Sequence, residues 1–329
     1  FDAKNISSTT AIIASLMIIP PLFDSEKLEL GENSNHQPPI SNSDKLVIAS
    51  YNIRYARGPY LISGGLRRKL RLMGRARRPQ HVGRMISTAA RSFTEGSLMP
   101  RVDVLALQEA DKRTVRTGGH HVAQELAAQL GMHFAHAPAG IPRGVAPVKR
   151  EWWLDFEEPI DLHDKGDTGV ALLSRLPLSD VTRIDLPWRE CPWRPRLAIA
   201  ATISVGPHQI RLFNAHVDPH AASDGQLAQL EAIAAQADGA DIPTIILGDF
   251  NTLSRQKCLA TRQFLEARGY TTPIPTGTAT WRGGGLRMHA DWIFTRGLKI
   301  GRWGVARPLN VSDHWPIWAE IVLSTNADN

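Results

Sequence analysis

The segment best suited to chemistry is IPTIILGDFN, which runs from Ile242 to Asn251. Its apolar and β-branched run is short, and it predicts a buried central strand that ends at Gly248 rather than an amphipathic helix. Along an extended chain, the side chains of Asp249 and Asn251 would lie on the same side. A carboxylate and an amide at the mouth of a rigid strand suit a hard divalent cation and a phosphoryl oxygen. An ordinary Asp–Asn turn explains this segment equally well.

Several other predicted strands carry similar polar side chains at or near an end. These are Asn52 after LVIASY, Gln108 and Glu109 after VDVLAL, Asn214, His216 and Asp218 along QIRLFNAHVD, Asp291 within MHADWIF, and Asp313 and His314 before WPIWAEIVL. A Glu at the end of an apolar strand is either a solvated residue or a carboxylate held for a cation. A single polar strand end is weak evidence for a functional site, but this many are hard to explain as ordinary surface residues.

The segments that must position these residues alternate between strands and longer stretches, without an internal repeat. Helical stripes are predicted over about 79–92, 121–130 and 226–237, and residues 196–205 and 209–218 predict a strand pair. The chain has 329 residues, of which 43% are hydrophobic, so it can bury a sizeable core. We therefore expect one large domain that contains two sheets.

This predicted domain covers residues 46–323, between an N-terminal tail of residues 1–45 and a C-terminal tail of residues 324–329. Within the first tail, Ala11 to Phe23 is apolar but too short to span a bilayer as a helix, and Gly31 to Ser43 has the composition of a linker. Export, weak membrane association and disorder all remain compatible with this tail, so localisation stays open. The two cysteines lack metal-ligand spacing and indicate neither a zinc site nor a disulfide framework.

Positive charge is concentrated in one block of the sequence. Between Arg54 and Arg91 there are 11 Lys or Arg residues and no acidic residue, which leaves 27 basic and 32 acidic residues, a net charge of −5, in the rest of the chain. Such a block favours a local anionic partner: nucleic acid, an anionic membrane surface or a polyphosphorylated substrate. Arg67, Arg68 and Lys69 are its candidate substrate-binding residues. A solvated basic loop is the plain alternative.

Seven segments, taken in order, resemble the endonuclease/exonuclease/phosphatase superfamily, the deoxyribonuclease I-like fold. They are SYNI (Ser50–Ile53), LALQEA (Leu105–Ala110), GVALLSRLPL (Gly169–Leu178), NAHVD (Asn214–Asp218), GDFN (Gly248–Asn251), HADWIF (His289–Phe294) and SDHWPI (Ser312–Ile317). The resemblance implies an α/β (α+β) fold, a four-layer α/β/β/α sandwich. In that fold two mixed β-sheets pack face to face beneath outer helices, and the site lies at one edge of the sheets.

The resemblance also implies hydrolysis of a phosphoester with Mg²⁺, or Mn²⁺, as the cofactor. Asn52, Glu109 and Asp313 match metal-binding positions, whereas His216, Asp249, Asn251, Asp291 and His314 match catalytic positions. In this match Glu109 is the principal metal ligand, and Asp249 orients the attacking water or binds a second cation. His314 is a general base or a charged phosphate clamp, and Asp291 orients its imidazole.

The remaining polar residues receive a weaker interpretation. The match implies that His216 donates to a phosphate oxygen and that Asn251 contacts the phosphate, while Asp218 is either a supporting residue or a turn residue before Pro219. Seven further histidines match no motif and are interpreted as surface or packing residues: His120, His121, His133, His136, His163, His208 and His289.

The function expected from the sequence is that of a divalent-metal-dependent phosphodiesterase. The basic block favours nucleic acid as the substrate and endonuclease-like cleavage. The alternatives are a phospholipid or sphingomyelin-type phosphodiesterase, in which the block holds an anionic membrane surface, and an inositol-phosphate phosphatase. A catalytically dead binding protein is disfavoured, because every polar position of the family pattern is filled. No protein partner is implied.

Overall fold

The computed structural model describes residues 28–32, 45–59, 77–142, 160, 163–187, 195–239 and 241–323. The first of its two large sheets consists of β1 (Glu29–Gly31), β2 (Lys45–Asn52), β3 (Val104–Gln108), β4 (His133–Pro138), β5 (Gly169–Ser174), β13 (Lys299–Val305) and β14 (Ile317–Val322). Their order across the sheet is β1-β4-β5-β3-β2-β14-β13. The central strands β3 and β5 are buried along their whole length.

The second large sheet consists of β6 (Ser179–Leu186), β7 (Arg196–Val205), β8 (His208–His216), β9 (Thr244–Asp249) and β12 (Asp291–Arg296). Its order is β12-β9-β8-β7-β6. A separate hairpin is formed by β10 (Trp281–Gly283) and β11 (Leu286–Met288). Strands β2, β3 and β5 of the first sheet contact β7, β8 and β9 of the second, so the two sheets pack face to face.

Helices cover the outer faces of both sheets. They are α1 (Arg78–Thr94), α2 (Val122–Leu130), α3 (Ser223–Asp238) and α4 (Arg255–Glu266). The apolar sides of α1 and α2 pack on the first sheet, where Ile86 and Leu126 share a core cluster with Leu105. The apolar sides of α3 and α4 pack on the second sheet, where Ile233 and Leu265 share a core cluster with residues of β8 and β9. The four-layer sandwich expected from the sequence is therefore confirmed.

Each large sheet is mixed because it contains one parallel pair. Strand β2 runs parallel to β3, and β8 runs parallel to β9, while the other neighbours in both sheets are antiparallel. Parallel neighbours need a crossover connection, usually a helix. Here α1 follows β2 and α3 follows β8, so each sheet contains one strand–helix–strand unit. The carboxyl ends of the paired strands consequently meet at one edge.

A polar bridge joins the two sheets just behind that edge. Asn214 of β8 is fully buried, and its Nδ2 donates to the carbonyl oxygens of Leu107 and Ala171 on β3 and β5, each at 2.8 Å. Its Oδ1 accepts a hydrogen bond from Nε2 of Gln108 at 2.6 Å, and the same nitrogen donates to Oγ of Ser50 at 3.1 Å. The bridge gives two buried backbone carbonyls of the first sheet a hydrogen-bond partner from the second sheet.

The predicted strands and helices around the polar residues are present, with two local corrections. Strand β9 continues through Gly248 to Asp249, and Asp291 begins β12 rather than lying inside it. Glycine is required at 248 by close packing, since φ is 145° and a Cβ would lie 2.1 Å from the carbonyl oxygen of Ala215 on β8. The sequence patterns do not predict β1, β4, β6, β10, β11 or β13. Five of these are edge or hairpin strands, whose exposed side chains dilute the apolar signal.

Two sequence predictions concern the ends of the described chain and the basic block. Strand β1 lies inside the predicted N-terminal tail and pairs antiparallel with β4, while the proposed boundaries at 45 and 323 stay predictions. Arg67, Arg68 and Lys69 lie outside the described residues, as does the apolar segment from Ala11 to Phe23. Within the described residues, no helix is long and apolar enough to cross a membrane.

Replacing Asn214 by alanine tests the bridge between the sheets. Asn214→Ala leaves two buried carbonyls and the Gln108 amide without this partner, so we expect the free energy of unfolding to fall by about 3–5 kcal/mol. The measurement is urea denaturation followed by circular dichroism. Asn310→Ala, an asparagine on the exposed surface, is the matched control and should change stability by less than about 0.5 kcal/mol. Equal effects of the two substitutions would contradict a structural role for the bridge.

Candidate active site

Strand register brings five of the predicted residues to one edge of the sandwich. Asn52 is paired with Gln108 in the first sheet, so Glu109 follows directly beside it. His216 is paired with Asp249, and Asp249 is paired with Asp291, in the second sheet. Because the two sheets pack face to face, these strand ends face one another across a narrow cleft. The regular distances between paired β-strands, rather than flexible loops, therefore set the distances between the side chains of the site.

Left-handed backbone turns the chain as it leaves three of these strands. The φ angle is 51° at Glu109, 50° at Asn251, and between 44° and 55° from Arg54 to Ala56. Such values are uncommon for residues with a side chain and cluster at functional sites. The turn at Asn251 corrects the extended-chain prediction, which placed its side chain beside that of Asp249. Instead, its backbone N–H donates to Oδ1 of Asp249 at 3.0 Å and its Nδ2 donates to the carbonyl oxygen of Val217 at 2.9 Å.

Asp249 lies at the centre of the cluster. Its Oδ2 accepts a hydrogen bond from Nδ2 of Asn52 at 2.9 Å, and it lies 3.7 Å from Nε2 of both His216 and His314. Burial raises the pKa of Asp249 to about 7; His314 opposes this rise and the Asp291 carboxylate adds to it. A carboxyl group with a pKa near neutrality can accept or release a proton under ordinary conditions.

His314 is clamped from two sides. Its Nδ1 lies 2.9 Å from Oδ2 of Asp291, and its backbone N–H donates to Oγ of Ser312 at 3.1 Å. Burial alone would lower the pKa of His314, but the carboxylates of Asp291 and Asp249 outweigh it and raise that pKa to about 10. The ring is therefore an imidazolium at neutral pH, which suits a phosphate clamp rather than a base.

The donor set of this cluster fits a divalent cation. Ligand atoms of Asp249, Asp291 and His314 all lie within 4.8 Å of one another, and because the His314 ring is protonated, the two carboxylates are the candidate ligands in this group. Oδ1 of Asp291 is buried and has no hydrogen-bond partner in the described part of the chain, which is costly for a carboxylate oxygen. The carboxylate of Glu109 lies across the cleft, with Oε1 3.9 Å from Nε2 of His216. Carboxylate and amide oxygens are the ligands that Mg²⁺ and Mn²⁺ prefer.

Asp313 is engaged by other side chains in this arrangement. Its Oδ2 lies 3.2 Å from Nη1 of Arg54 and accepts a hydrogen bond from Nε1 of Trp281 at 3.1 Å, while Oγ of Ser312 lies 3.2 Å from its Oδ1. Arg54 is itself nearly buried, and its charge compensates the carboxylate. This geometry favours Asp313 as an anchor for the segment that carries His314 over the predicted role as a metal ligand, which stays a prediction.

Arg196 is a residue of the site that sequence reasoning did not find. It begins β7, is 2% exposed, and its Nη1 lies 2.9 Å from Nε2 of His216. The same Nη1 lies 3.3 Å from Nδ1 of His216, and because a guanidinium only donates, the ring nitrogen that accepts from it carries no proton. Arg196 also lies near Asp218, whose Oδ1 accepts the backbone N–H of His220 at 2.9 Å. Asp218 therefore acts as a turn residue and also lies close to this pair.

The other missed contacts come from Arg54 and Trp281. In the sequence, Arg54 stands out only as part of the basic block, and Trp281 belongs to no motif. Trp281 lies shortly before the HADWIF motif, so its position near the site could have been suspected. Nothing in the sequence spacing predicts that it contacts Asp313. Among the seven unmatched histidines, His121, His136 and His289 are buried. His289 stacks on Trp292 with ring centroids 3.9 Å apart, in agreement with a packing role.

The raised pKa of His314 gives a prediction that needs neither metal nor substrate. Asp291→Asn removes the carboxylate that contacts Nδ1, so we expect the pKa of His314 to fall from about 10 toward the ordinary histidine value of about 6.5. Histidine NMR titration of the metal-free protein measures this pKa. Asp180→Asn, on the exposed strand β6, is the matched control and should leave it unchanged.

The same substitution should flatten the dependence of stability on pH. The pKa of folded His314 lies above the unfolded value, so its contribution is complete below about pH 6.5 and is lost as pH rises through about 10. In the Asp291→Asn variant the folded pKa approaches the unfolded one, so the free energy of unfolding should fall less between pH 6 and 10, as measured by urea denaturation. Parallel stability curves for the two proteins would mean that Asp291 does not hold the imidazolium.

Comparison with known proteins places this geometry in a family. The sequence profile described as Endonuclease/Exonuclease/phosphatase family matches residues 49–314. No curated protein sequence gives a significant match. Among solved structures, an endonuclease/exonuclease/phosphatase family protein from Leptotrichia buccalis C-1013-b is 16% identical with a TM-score of 0.56, and 84% of this chain covers 99% of that one.

Two further structures show the same fold. D. rerio TDP2 complexed with single strand DNA product is 15% identical with a TM-score of 0.55, over 85% of this chain and 99% of that chain. The human Nocturnin catalytic domain with bound sulfate anion is 18% identical with a TM-score of 0.53, over 84% and 93% of the two chains. Identities this low show the fold alone, whereas the profile match spans most of the sequence. The chain therefore belongs to the endonuclease/exonuclease/phosphatase family.

Proposed function

We propose that this protein is a divalent-metal-dependent phosphodiesterase that cleaves nucleic acid. Membership of the family supports a metal-dependent phosphoester hydrolase, and the finer assignment is our own. The observation that carries it is the charge arrangement around Asp249, with an imidazolium at 3.7 Å and a buried Asp291 behind that imidazolium. This arrangement combines a carboxylate that can hold a proton with a fixed positive charge, the two groups that phosphoester hydrolysis requires.

In this proposal each side chain of the site has a separate role in hydrolysis. A Mg²⁺ or Mn²⁺ ion held by Glu109 and Asn52 would neutralise charge on the phosphoryl and leaving oxygens when bound. Asp249, in its ionised form, orients the attacking water and accepts its proton at the carboxylate. His314 donates from Nε2 toward a phosphoryl oxygen, and Asp291 keeps its ring charged and oriented. His216 lies on the other side of Asp249 and can donate only from the ring nitrogen that does not accept from Arg196.

Asn251 supports this arrangement through its backbone. Its N–H donates to Oδ1 of Asp249, which leaves Oδ2 directed at Asn52 and the two histidines. The carbonyl oxygen of Asn251 in turn accepts a hydrogen bond from Nε2 of Gln226 at 3.1 Å, which ties the turn to α3. The implied contact of its side-chain amide with phosphate would require that amide to leave the carbonyl oxygen of Val217.

The hairpin beside the site supports a polyanionic substrate. Trp281 of β10 is bridged to His314, so the hairpin lies against the catalytic histidine. Arg282 and Arg287 are directly paired across the hairpin. Like charges in this position are destabilising, which is tolerable where an anion is bound between them. The hairpin thus places two positive charges beside the site, which suits successive phosphates, and the basic composition of the sequence from Arg54 to Arg91 favours the same class of substrate.

One observation favours a phospholipid phosphodiesterase as the second candidate. Leu286 lies at the hairpin tip with 44% of its surface exposed, next to Arg287. An exposed apolar residue beside basic residues is also the pattern of a contact with an anionic membrane. One structural relative, D. rerio TDP2, was solved with a single-stranded DNA product, and it supports nucleic acid only by analogy.

Nicking of supercoiled plasmid tests the proposed activity. We expect nicking with added Mg²⁺, none with EDTA, and a loss of at least about 10²-fold in Asp249→Asn, because the variant cannot accept a proton from water. The exposed control Asp180→Asn should nick at the unchanged rate. If folded protein does not nick DNA, the preference for DNA is wrong, and RNA, sphingomyelin vesicles and inositol phosphates are the next substrates.

The two hairpin arginines should increase affinity for nucleic acid through their charge, without recognising the base sequence. Arg282→Gln and Arg287→Gln are each expected to weaken binding of a single-stranded oligonucleotide in EDTA and to reduce the slope of log affinity against log salt by about 1. Fluorescence anisotropy at several salt concentrations measures this slope. Arg262→Gln on α4, where the arginine pairs with Glu266, is the matched control. An unchanged slope in both hairpin variants would remove the hairpin from the binding surface.

A further inference from the structure

A second group of ligating side chains lies at the β1 edge of the first sheet, outside the Asp249 cluster. Glu29 is on β1, His136 is its register partner on β4, and His121 is the residue before α2. Oε2 of Glu29 lies 2.8 Å from Nε2 of His121, and one ligand atom from each of the three residues lies within 4.8 Å of the others. The sequence interpretation had treated both histidines as surface or packing residues.

His136 makes this cluster more than an ion pair. The ring is fully buried, and its Nε2 lies 2.8 Å from the carbonyl oxygen of Ala110, to which it can only donate. The proton of the neutral ring is therefore on Nε2, and Nδ1 carries a lone pair. Nδ1 has no hydrogen-bond partner in the described part of the chain. A buried acceptor without a partner is unusual and calls for a bound species.

The protonation states also suit a cation. Burial lowers the pKa of His121, and it lowers the pKa of His136 to about 4, so both rings are neutral at neutral pH. Burial alone would raise the pKa of Glu29, but hydrogen bonds from Lys112 and His121 outweigh it and lower that pKa. Two neutral imidazoles and one carboxylate form the donor set that transition metals bind, with zinc as the common occupant of a His₂Glu site.

The geometry points to a transition-metal site formed by Glu29, His121 and His136, with Zn²⁺ as the expected ion and water completing its coordination. The ion would join β1, β4 and the start of α2. It would thereby fix a three-residue edge strand that pairs with β4 and makes side-chain contacts through Glu29. It would also stiffen the backbone at Ala110, the residue after Glu109. This inference does not depend on the proposed activity.

Two neighbours set the strength of the site. Nζ of Lys112 lies 2.8 Å from Oε1 of Glu29, so an ion on Oε2 shares the carboxylate with an ammonium. In the metal-free protein Nδ1 of His121 accepts the backbone N–H of Gln124 at 3.3 Å, which caps α2. Metal on Nε2 moves the ring proton to Nδ1 and ends that cap, while the bond from the His121 N–H to Glu125 remains. The Lys112 ammonium and the loss of the hydrogen bond that caps α2 should therefore both weaken metal binding, and both effects can be measured.

Titration with metal alone tests the site. The protein carries Glu109→Gln and Asp249→Asn to disable the other cluster, and Co²⁺ absorption and Zn²⁺ calorimetry measure binding. We expect one ion per chain, visible bands of four- or five-coordinate Co²⁺, and an NMR shift of the Gln124 amide on Zn²⁺ addition. His136→Ala and the less buried Glu29→Gln should each weaken binding by at least about tenfold. Lys112→Met should strengthen it by removing the ammonium.

The controls separate a built site from adventitious binding. His133→Ala removes a histidine from the same strand, β4, and should leave the affinity unchanged. Circular dichroism checks that each variant is folded, and Glu29→Gln keeps the test valid if His136→Ala does not fold. Absence of stoichiometric binding in the double variant would overturn the proposal. So would binding that is equally tight with Glu29→Gln and Lys112→Met, because the ion would then lie elsewhere.

Discussion

The site depends on the positive charge of His314, which lies between two buried carboxylates. Asp249 and Asp291 are directly opposed across β9 and β12, so the fold places two acidic side chains where water cannot solvate them well. The imidazolium offsets this cost on one side, and Asn52 donates to Asp249 on another. The rest of the structure holds that ring still: Ser312 fixes its backbone, and Asp313 is tied to Arg54 and Trp281.

The backbone does as much as the side chains to aim the site. Strand pairing sets which residues meet, and the left-handed turns at Glu109 and Asn251 then redirect the chain at the cleft. Gly248 allows β8 and β9 to approach closely, so His216 and Asp249 emerge side by side. A site built on paired strands and buried turns is already arranged before substrate arrives, which lowers the cost of organising it during reaction.

The family resemblance predicted the four layers and a site at one edge of the sheets, and short apolar runs predicted most of the central strands. Sequence reasoning failed where the structure is decided by contacts between distant segments. Arg196 beneath His216 has no local signature, and the turn at Asn251 broke the alternation that was assumed past Asp249. The edge strands were missed because half-exposed side chains weaken the pattern. The pairing of Glu29 with His136 joins residues that no spacing rule relates.

The placement of one parallel strand pair in each sheet has a consequence for how the molecule is assembled. The unit β2–α1–β3 carries Asn52 and leads into Glu109, whereas β8–α3–β9 carries His216 and Asp249. Neither unit contains a complete site, although each can form its own local pairing. During refolding, recovery of activity therefore reports the docking of two halves through Asn214, not the formation of either half. The site is therefore complete only after the two sheets have packed together.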